Sequence, residues 1–513
     1  MNVRRGILSI TAALAAAPGC GPPDARFVNS ERIDDLHRPV QQAVADALVD
    51  HFGTPHELVA WLRLPVNYGG YAGIVSAAPE ANRRNTFRVE LDPPADELEP
   101  GQELVWISGS LLAAPAGEQP VPWTVADYDP ETMLITVDAA GVSPDDWPAD
   151  WQPAPDDAFI VAPGGRLKHG RALYMEHCMH CHGVSGDGNG PTAPYLDPRP
   201  RDYRLGLFKF TSTGTGLKAS RADLALTIRH GIPGTYMPSF LLLGDDELQA
   251  IVEYIRWLAM RGEFEKRMID ELYVDHSQQA LEERKRDEAQ QRSEGSPPDE
   301  TVDEAVARYL EEEFPGVVDS LGNDLKDAWE QADLEDSVFK PAQPRLPAEP
   351  TPAAQLENAL RESRERGLAL YYSDKAKCAT CHGPQGRGDG SEIFAFRDIP
   401  NTNPVQKYAE PGLFDDWGQK IEPRDLTRGV FRGGRRPIDI YRRIAVGIKG
   451  TPMPAFASAL SEQERWDLVN FVLSVPYRDE PMTPPPQSAA PAPAATTAQI
   501  QPSPGAGPSG GPR

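Results

Sequence analysis

Cysteine is scarce: five residues in 513. That is too few for a disulfide framework to hold a chain of this length together. Positive charge is also short, with Lys+Arg 51 against Asp+Glu 76 and a formal net charge of −25. A balance of that sign repels phosphate backbones and anionic headgroups, so nucleic-acid binding through a broad basic face is excluded. After the first twenty residues no segment approaches the roughly 18 uninterrupted apolar residues of a spanning helix. The mature chain is therefore not expected to cross a membrane. Proline is in excess instead, 52 of 513, about twice its usual share of about 5 %, which predicts long spacers or tails. The length itself allows three or four domains.

The few cysteines are placed tellingly. Cys178-Met179-His180-Cys181-His182 and Cys378-Ala379-Thr380-Cys381-His382 are two C-x-x-C-H runs, the attachment signature of c-type haem. A single run of this kind also fits a thiol redox pair or half a zinc site. The fifth, Cys20, follows Arg4-Arg5, an apolar run from Gly6 to Ala17, and Pro18-Gly19. This reads as a secretory signal too short to span. Ala17-Pro18-Gly19-Cys20 resembles a bacterial lipobox, which implies a lipidated Cys20. Each buried acyl CH₂ contributes about 0.8 kcal/mol to membrane affinity. The expectation is an exported protein of the periplasm or cell envelope, anchored to a membrane by lipid.

Composition shifts divide the chain into residues 1–20 (signal), 31–163, 164–262, 263–350, 351–478 and 479–513. In 31–163, Ile33, Leu36, Val40, Val44, Leu48 and Val49 recur at helical spacing, and 87–91, 103–107 and 133–137 read as short strands, with a turn at 127–132. A β-rich α+β domain follows, of no legible role. It holds His37, His51 and His56 but no spaced ligand set. Residues 263–340 carry 24 acidic and 9 basic residues and read as a solvated, charged helical linker. Leu310, Phe314, Val317, Val318, Leu321, Leu325 and Trp329 give part of it an apolar stripe that allows a small packing unit. Ten of the last 33 residues are proline. A tail of that composition does not bury enough surface to order itself.

The two C-x-x-C-H segments are halves of a long internal repeat. Gly170-Arg-Ala-Leu-Tyr174 parallels Gly367-Leu-Ala-Leu-Tyr371. Gly183, Gly186, Gly188 and Gly190 match Gly383, Gly386, Gly388 and Gly390 without a gap, and Pro200-Arg201-Asp202 matches Pro423-Arg424-Asp425. Gly231-Ile-Pro-Gly-Thr-Tyr-Met237-Pro238 answers Gly447-Ile-Lys-Gly-Thr-Pro-Met453-Pro454, and each half closes with an amphipathic helix. The second half has 23 extra residues between His382 and Pro423, and Ser391 stands where the first has Pro191.

Each half resembles a class I c-type cytochrome domain, similar to those in dihaem subunits of respiratory oxidases. The resemblance implies two compact all-α domains of three to five helices and two covalently bound haem c groups. Cys178, Cys181, Cys378 and Cys381 would form the thioethers. His182 and His382 would be the proximal iron ligands, oriented by a carbonyl near Pro191 or Ser391, and Met237 and Met453 the distal ones. Met453 also survives elimination, because the only other methionine after His382 is Met482 in the proline-rich tail. Met237 is preferred over Met260 and Met268 by the repeat. Arg201 and Arg424, aligned in the repeat, are the candidates for haem-propionate contacts.

Two filled axial positions leave electron transfer as the use, between partners of the respiratory chain. The alternatives are a dihaem peroxidase, in which one iron must open to peroxide, and the cytochrome subunit of a dehydrogenase or oxidase complex. Arg424, Arg428, Arg432, Arg435, Arg436, Arg442, Arg443 and Lys449 form a basic cluster before Met453. It reads as a face that docks an acidic redox partner.

Overall fold

The computed structural model describes residues 26–79, 83–108, 122–139, 142–143, 147, 153–295, 298–341, 353–400, 402 and 404–484. Cys20, the signal and most of the proline-rich tail lie outside these. The first helix, α1 (Arg38–Phe52), buries Val40, Val44, Ala47, Leu48 and Phe52. Val49, one residue and about 100° further round, is exposed.

Six strands then close an antiparallel barrel: β1 (Tyr71–Ala77), β2 (Thr86–Asp92), β3 (Glu103–Trp106), β4 (Trp123–Asp129), β5 (Leu134–Ala139) and β6 (Ala158–Val161). Their order around the barrel is β1-β2-β5-β4-β3-β6. Phe87, Val89 and Leu91 point inward in β2 while Arg88 and Glu90 point out. Trp106, Trp123, Trp147, Phe87 and Phe159 fill the interior in tilted and edge-to-face pairs. Three of the strands are those expected from alternation. β1, β4 and β6 are not, and in β4 a register shift between Val125 and Asp127 breaks the period. The expected turn therefore begins later, where Asp129 accepts from the Thr132 hydroxyl at 2.6 Å.

The first repeat half comprises α2 (Gly165–His177), α3 (Met179–His182), α4 (Arg221–His230) and α5 (Asp245–His276). Ser220 and Asp223 cap α4 reciprocally, and Gly244 donates to Glu247 at the start of α5. At 32 residues, α5 runs straight through the expected boundary at 262. It is followed by α6 (Gln278–Ser293), α7 (Val302–Glu312) and α8 (Phe314–Asp333).

The acidic segment is thus helical, as expected, but not solvated on every side. Its apolar stripe lies on the first repeat half, with Leu325 and Trp329 wholly buried. α1 joins the same core rather than the barrel's, so residues 31–163 do not share one core. Charges hold this layer in place. Arg256 donates to Asp333 at 2.9 Å and to the Pro65 carbonyl at 3.2 Å, and Arg221 bridges Glu253 (2.5 Å) and Asp333. Composition alone reads such residues as solvated, because it does not show that each has a buried partner.

Trp329 donates to Glu263 at 3.1 Å and lies under the Arg256 guanidinium. Trp329→Ala is expected to cost about 3–5 kcal/mol, read as a lowered urea midpoint. A change below about 1 kcal/mol would show that α8 does not support this core.

The second half contains α9 (Ala353–Tyr372), α10 (Cys378–His382), a hairpin of β7 (Leu413–Phe414) and β8 (Lys420–Ile421), α11 (Pro437–Val446) and α12 (Glu462–Ser474). The hairpin lies within the 23-residue surplus. Met482, expected in the disordered tail, is instead buried. Its backbone pairs with Gln385, and its methyl lies near Gly386. Among the described residues no helix is long and apolar enough to cross a membrane.

Candidate functional site

Each C-x-x-C-H segment is a short helix clamped from the side and from below. Tyr174 donates from its hydroxyl to the Gly183 carbonyl at 2.8 Å, and Tyr371 to the Gly383 carbonyl at 2.6 Å. Both tyrosines are buried. They come from helices that cross their closing helix at a glycine. A methyl on Gly170 would overlap the Ala250 carbonyl, and one on Gly367 the Asp467 carbonyl. The glycine loops beneath repeat in detail. Gly188 and Gly388 donate to the His182 and His382 carbonyls at 2.9 and 2.8 Å. Both adopt left-handed φ, at 73° and 83°, with a carbonyl of Pro200 or Pro423 where a Cβ would lie.

The two histidines are set identically. His182 Nδ1 lies 3.1 Å from the Arg201 carbonyl, and His382 Nδ1 lies 3.0 Å from the Arg424 carbonyl. A carbonyl only accepts, so Nδ1 carries the proton and Nε2 is left with its lone pair. Burial pushes His182 down to about 4, against a smaller opposing effect of that hydrogen bond. His382 is lowered by the same cause. Both imidazoles are therefore neutral at pH 7, the form that ligates metal. The orienting carbonyl is that of Arg201 or Arg424, not one near Pro191 or Ser391, so the Ser391 departure does not touch it. Tyr203, which the repeat aligns with Leu426 and to which the sequence assigned no role, stacks on the His182 ring at 4.8 Å.

The methionine loops match as closely. Ile232 and Ile448 each donate to the carbonyl of Met237 or Met453 at 3.2 Å. Met237 N and Met453 N donate to Thr235 Oγ1 and Thr451 Oγ1 at 3.2 and 3.3 Å. Repetition of this turn shows why Gly-x-x-Gly-Thr-x-Met-Pro recurs: the threonine fixes the loop that presents the sulfur.

The two histidines and the methionine loops border one continuous cavity of about 890 Å³. Cys178, Cys181, His182 and Met237 line it together with Cys378, Cys381, His382 and Met453. Burial pushes the Cys178 and Cys378 thiols up to about 12. Neutral sulfurs in an apolar crevice suit thioethers better than the thiolates a zinc site needs.

Charges of both signs border the cavity, Arg201, Arg397, Arg432 and Arg443 beside Asp223, Glu392, Asp398, Asp415, Asp416 and Glu422. Burial lowers Arg201 and Arg443 to about 10, so both remain cationic at pH 7. Among the described residues, Nε of Arg397, Arg432 and Arg443 and Nε1 of the neighbouring Trp417 are buried donors without a partner. Cations and orphaned donors around an apolar slot fit a flat ligand with carboxylate arms, which is what a haem is. Of the expected propionate residues, Arg201 lies 3.6 Å over the Trp417 ring, while Arg424 Nε is committed to the Val430 carbonyl at 3.0 Å. Arg397 and Trp417 were not foreseen in this role, and Arg432 and Arg443 were assigned to a different one, the basic docking cluster.

The basic cluster does not form a single docking face. Lys449 donates to Thr213 Oγ1 at 2.8 Å and to the Leu217 carbonyl at 2.5 Å. Arg443 donates to the Lys209 and Thr211 carbonyls, and the Arg424 guanidinium packs on Gly234. These are contacts with the other repeat half, and they close the cavity between the two. Arg436 pairs with Asp439 and Arg435 with the Tyr477 hydroxyl. For Arg424, Arg443 and Lys449 the expectation is corrected, because sequence spacing does not distinguish cations that face solvent, as Arg428, Arg435 and Arg436 do, from cations that face a duplicate of their own fold.

The family model for cytochrome c matches residues 167–259 and 365–476. The chain therefore carries two cytochrome c domains, the fold that binds haem c covalently and transfers electrons. They stand beside the β-barrel and the helical layer. A chain of the Kuenenia stuttgartiensis reducing HAO-like protein complex is similar at 25 % identity, covering 60 % of this chain and 96 % of that one, with a TM-score of 0.37. Comparison with curated proteins gives no significant match.

Proposed function

We propose that this chain is an exported dihaem electron carrier whose irons are held by His182 with Met237 and by His382 with Met453. Cys178 and Cys181, and Cys378 and Cys381, form the thioethers. Arg201, Arg432, Arg443 and Trp417 meet the propionates, and a lipidated Cys20 keeps the chain at a membrane of the cell envelope, among respiratory redox proteins. The observation that carries this reading is the duplication of geometry. Two neutral imidazoles and two threonine-braced methionines, matched bond for bond, border one cavity.

Each bound haem supplies a reversible one-electron change at iron. The chain's own residues decide what that change is used for. The Nδ1 hydrogen bonds fix ring orientation and leave Nε2 for the metal. Methionine opposite imidazole favours the ferrous state and raises the potential. With His182 and Met237, and His382 and Met453, as ligands, neither iron would have a position left for a reactant, which separates a carrier from a peroxidase. The contacts of Lys449, Arg443 and Arg201 with the opposite domain hold the two sites in one enclosure.

The test is carbon monoxide. The reduced holoprotein is expected to keep its visible spectrum under the gas for minutes. Rapid binding to one haem would instead identify a peroxidase-type enzyme with an open iron.

A further inference from the structure

Arg424, Arg443 and Lys449 of the basic cluster face the first domain while Arg428, Arg435 and Arg436 are exposed on the second; the exposed approach to the first haem domain is of another kind. Tyr236, Leu241 and Leu242 are 67, 61 and 100 % exposed. Tyr236 precedes the proposed iron ligand Met237, and both line the cavity. Phe240, which also lines it, sits 6.1 Å from the His177 ring, next to Cys178. Large apolar side chains left in solvent at the mouth of a buried site mark contact surfaces rather than packing. Asp245, Asp246 and Glu247 follow directly. Of these only Asp245 has an ion pair, with Arg229, among the described residues.

We propose that Tyr236, Leu241 and Leu242, flanked by Asp246 and Glu247, form the docking surface of this domain for a positively charged redox protein. This rests on the haem reading above. Charge chooses the occupant. Asp246 and Glu247 make no ion pair among the described residues, within a chain of net charge −25, so a second copy would meet like charge, as would an anionic lipid surface. A partner with basic residues ringing an apolar centre would be drawn in electrostatically and held by the leucines.

The test uses the full-length holoprotein and two probes, a basic and an acidic monohaem cytochrome c, with binding read by titration calorimetry at low and high salt. The wild type should bind the basic probe, more weakly as salt rises, and not the acidic one. Leu241→Ser with Leu242→Ser should weaken binding about tenfold, and Asp246→Lys should weaken it and flatten the salt dependence. Neither variant should alter the covalent haem spectrum or reduction by ascorbate.

Equal affinity in all three proteins would overturn the proposal, as would no binding of the basic probe or equal binding of the acidic one. So would a dimer that the leucine variant disperses, or flotation with neutral phosphatidylcholine vesicles that the leucine variant abolishes, since a Cys20 anchor would float both proteins alike. These results leave the haem reading intact. Absence of covalent haem from the wild type would instead remove that reading first.

Discussion

Met453→His is expected to lower the potential of one haem by on the order of 0.2 V, within the roughly 0.8 V range that axial ligation spans, and to leave the other nearly unchanged. Met237→His should do the same to the other haem. The effect is large because the thioether opposite the imidazole is the main source of ferrous preference. It is local because each methionine sits on its own loop, braced by its own threonine hydroxyl. Potentiometric titration of the visible spectrum would show two waves moving apart in one variant and exchanging order or merging in the other. If neither wave moves by more than about 0.05 V, the methionines are not ligands and serve only to fill the crevice.

Gly170→Ala and Gly367→Ala are expected to destabilise their domains by about 3 kcal/mol, although alanine is the better helix former by about 1 kcal/mol. Packing decides the sign. The methyl would meet a backbone carbonyl of the closing helix, not the far end of a flexible side chain. Relief requires the helices to separate. Separation in turn moves Tyr174 or Tyr371, whose hydroxyl holds the first glycine after the C-x-x-C-H segment. Lowered urea midpoints, with haem content falling in the affected domain alone, would establish this. A neutral or stabilising effect would mean that the helices do not cross this closely.

The parts of the molecule that were legible in advance are those where one residue type meets one physical demand. C-x-x-C-H marked the two cytochrome c segments, and Gly170 aligned with Gly367, although only the structure shows that each stands at a helix contact that admits no Cβ. The repeat turned a short motif into two domains before any coordinates. Three things were not legible, each for a definite reason. Arg443 and Lys449 read as a surface because charge says nothing of direction, yet their partners are carbonyls and a hydroxyl of the other domain. For Trp329 and Leu325 the apolar stripe was legible but not the surface it packs on, which is contributed by α5, far away in sequence. Met482 followed Pro481 in a tail whose composition suggested disorder, but a pair of hydrogen bonds to Gln385 holds it.

Trp417 shows the same limit at the cavity. It lies in the surplus between His382 and Pro423, where the alignment has nothing to compare, and it underlies an arginine of the other domain. Insertions in a repeat are where two copies stop being copies, so they are natural places for contacts between them.

The central claim is that each iron is enclosed by protein on both sides. The near-infrared spectrum of the fully oxidised holoprotein tests it most directly, since methionine bound to ferric haem gives a charge-transfer band there. The account predicts a band of two-haem intensity per chain, halved by Met237→His and halved by Met453→His. A wild-type band of one-haem intensity, or none, with a high-spin signal at rest, would contradict it.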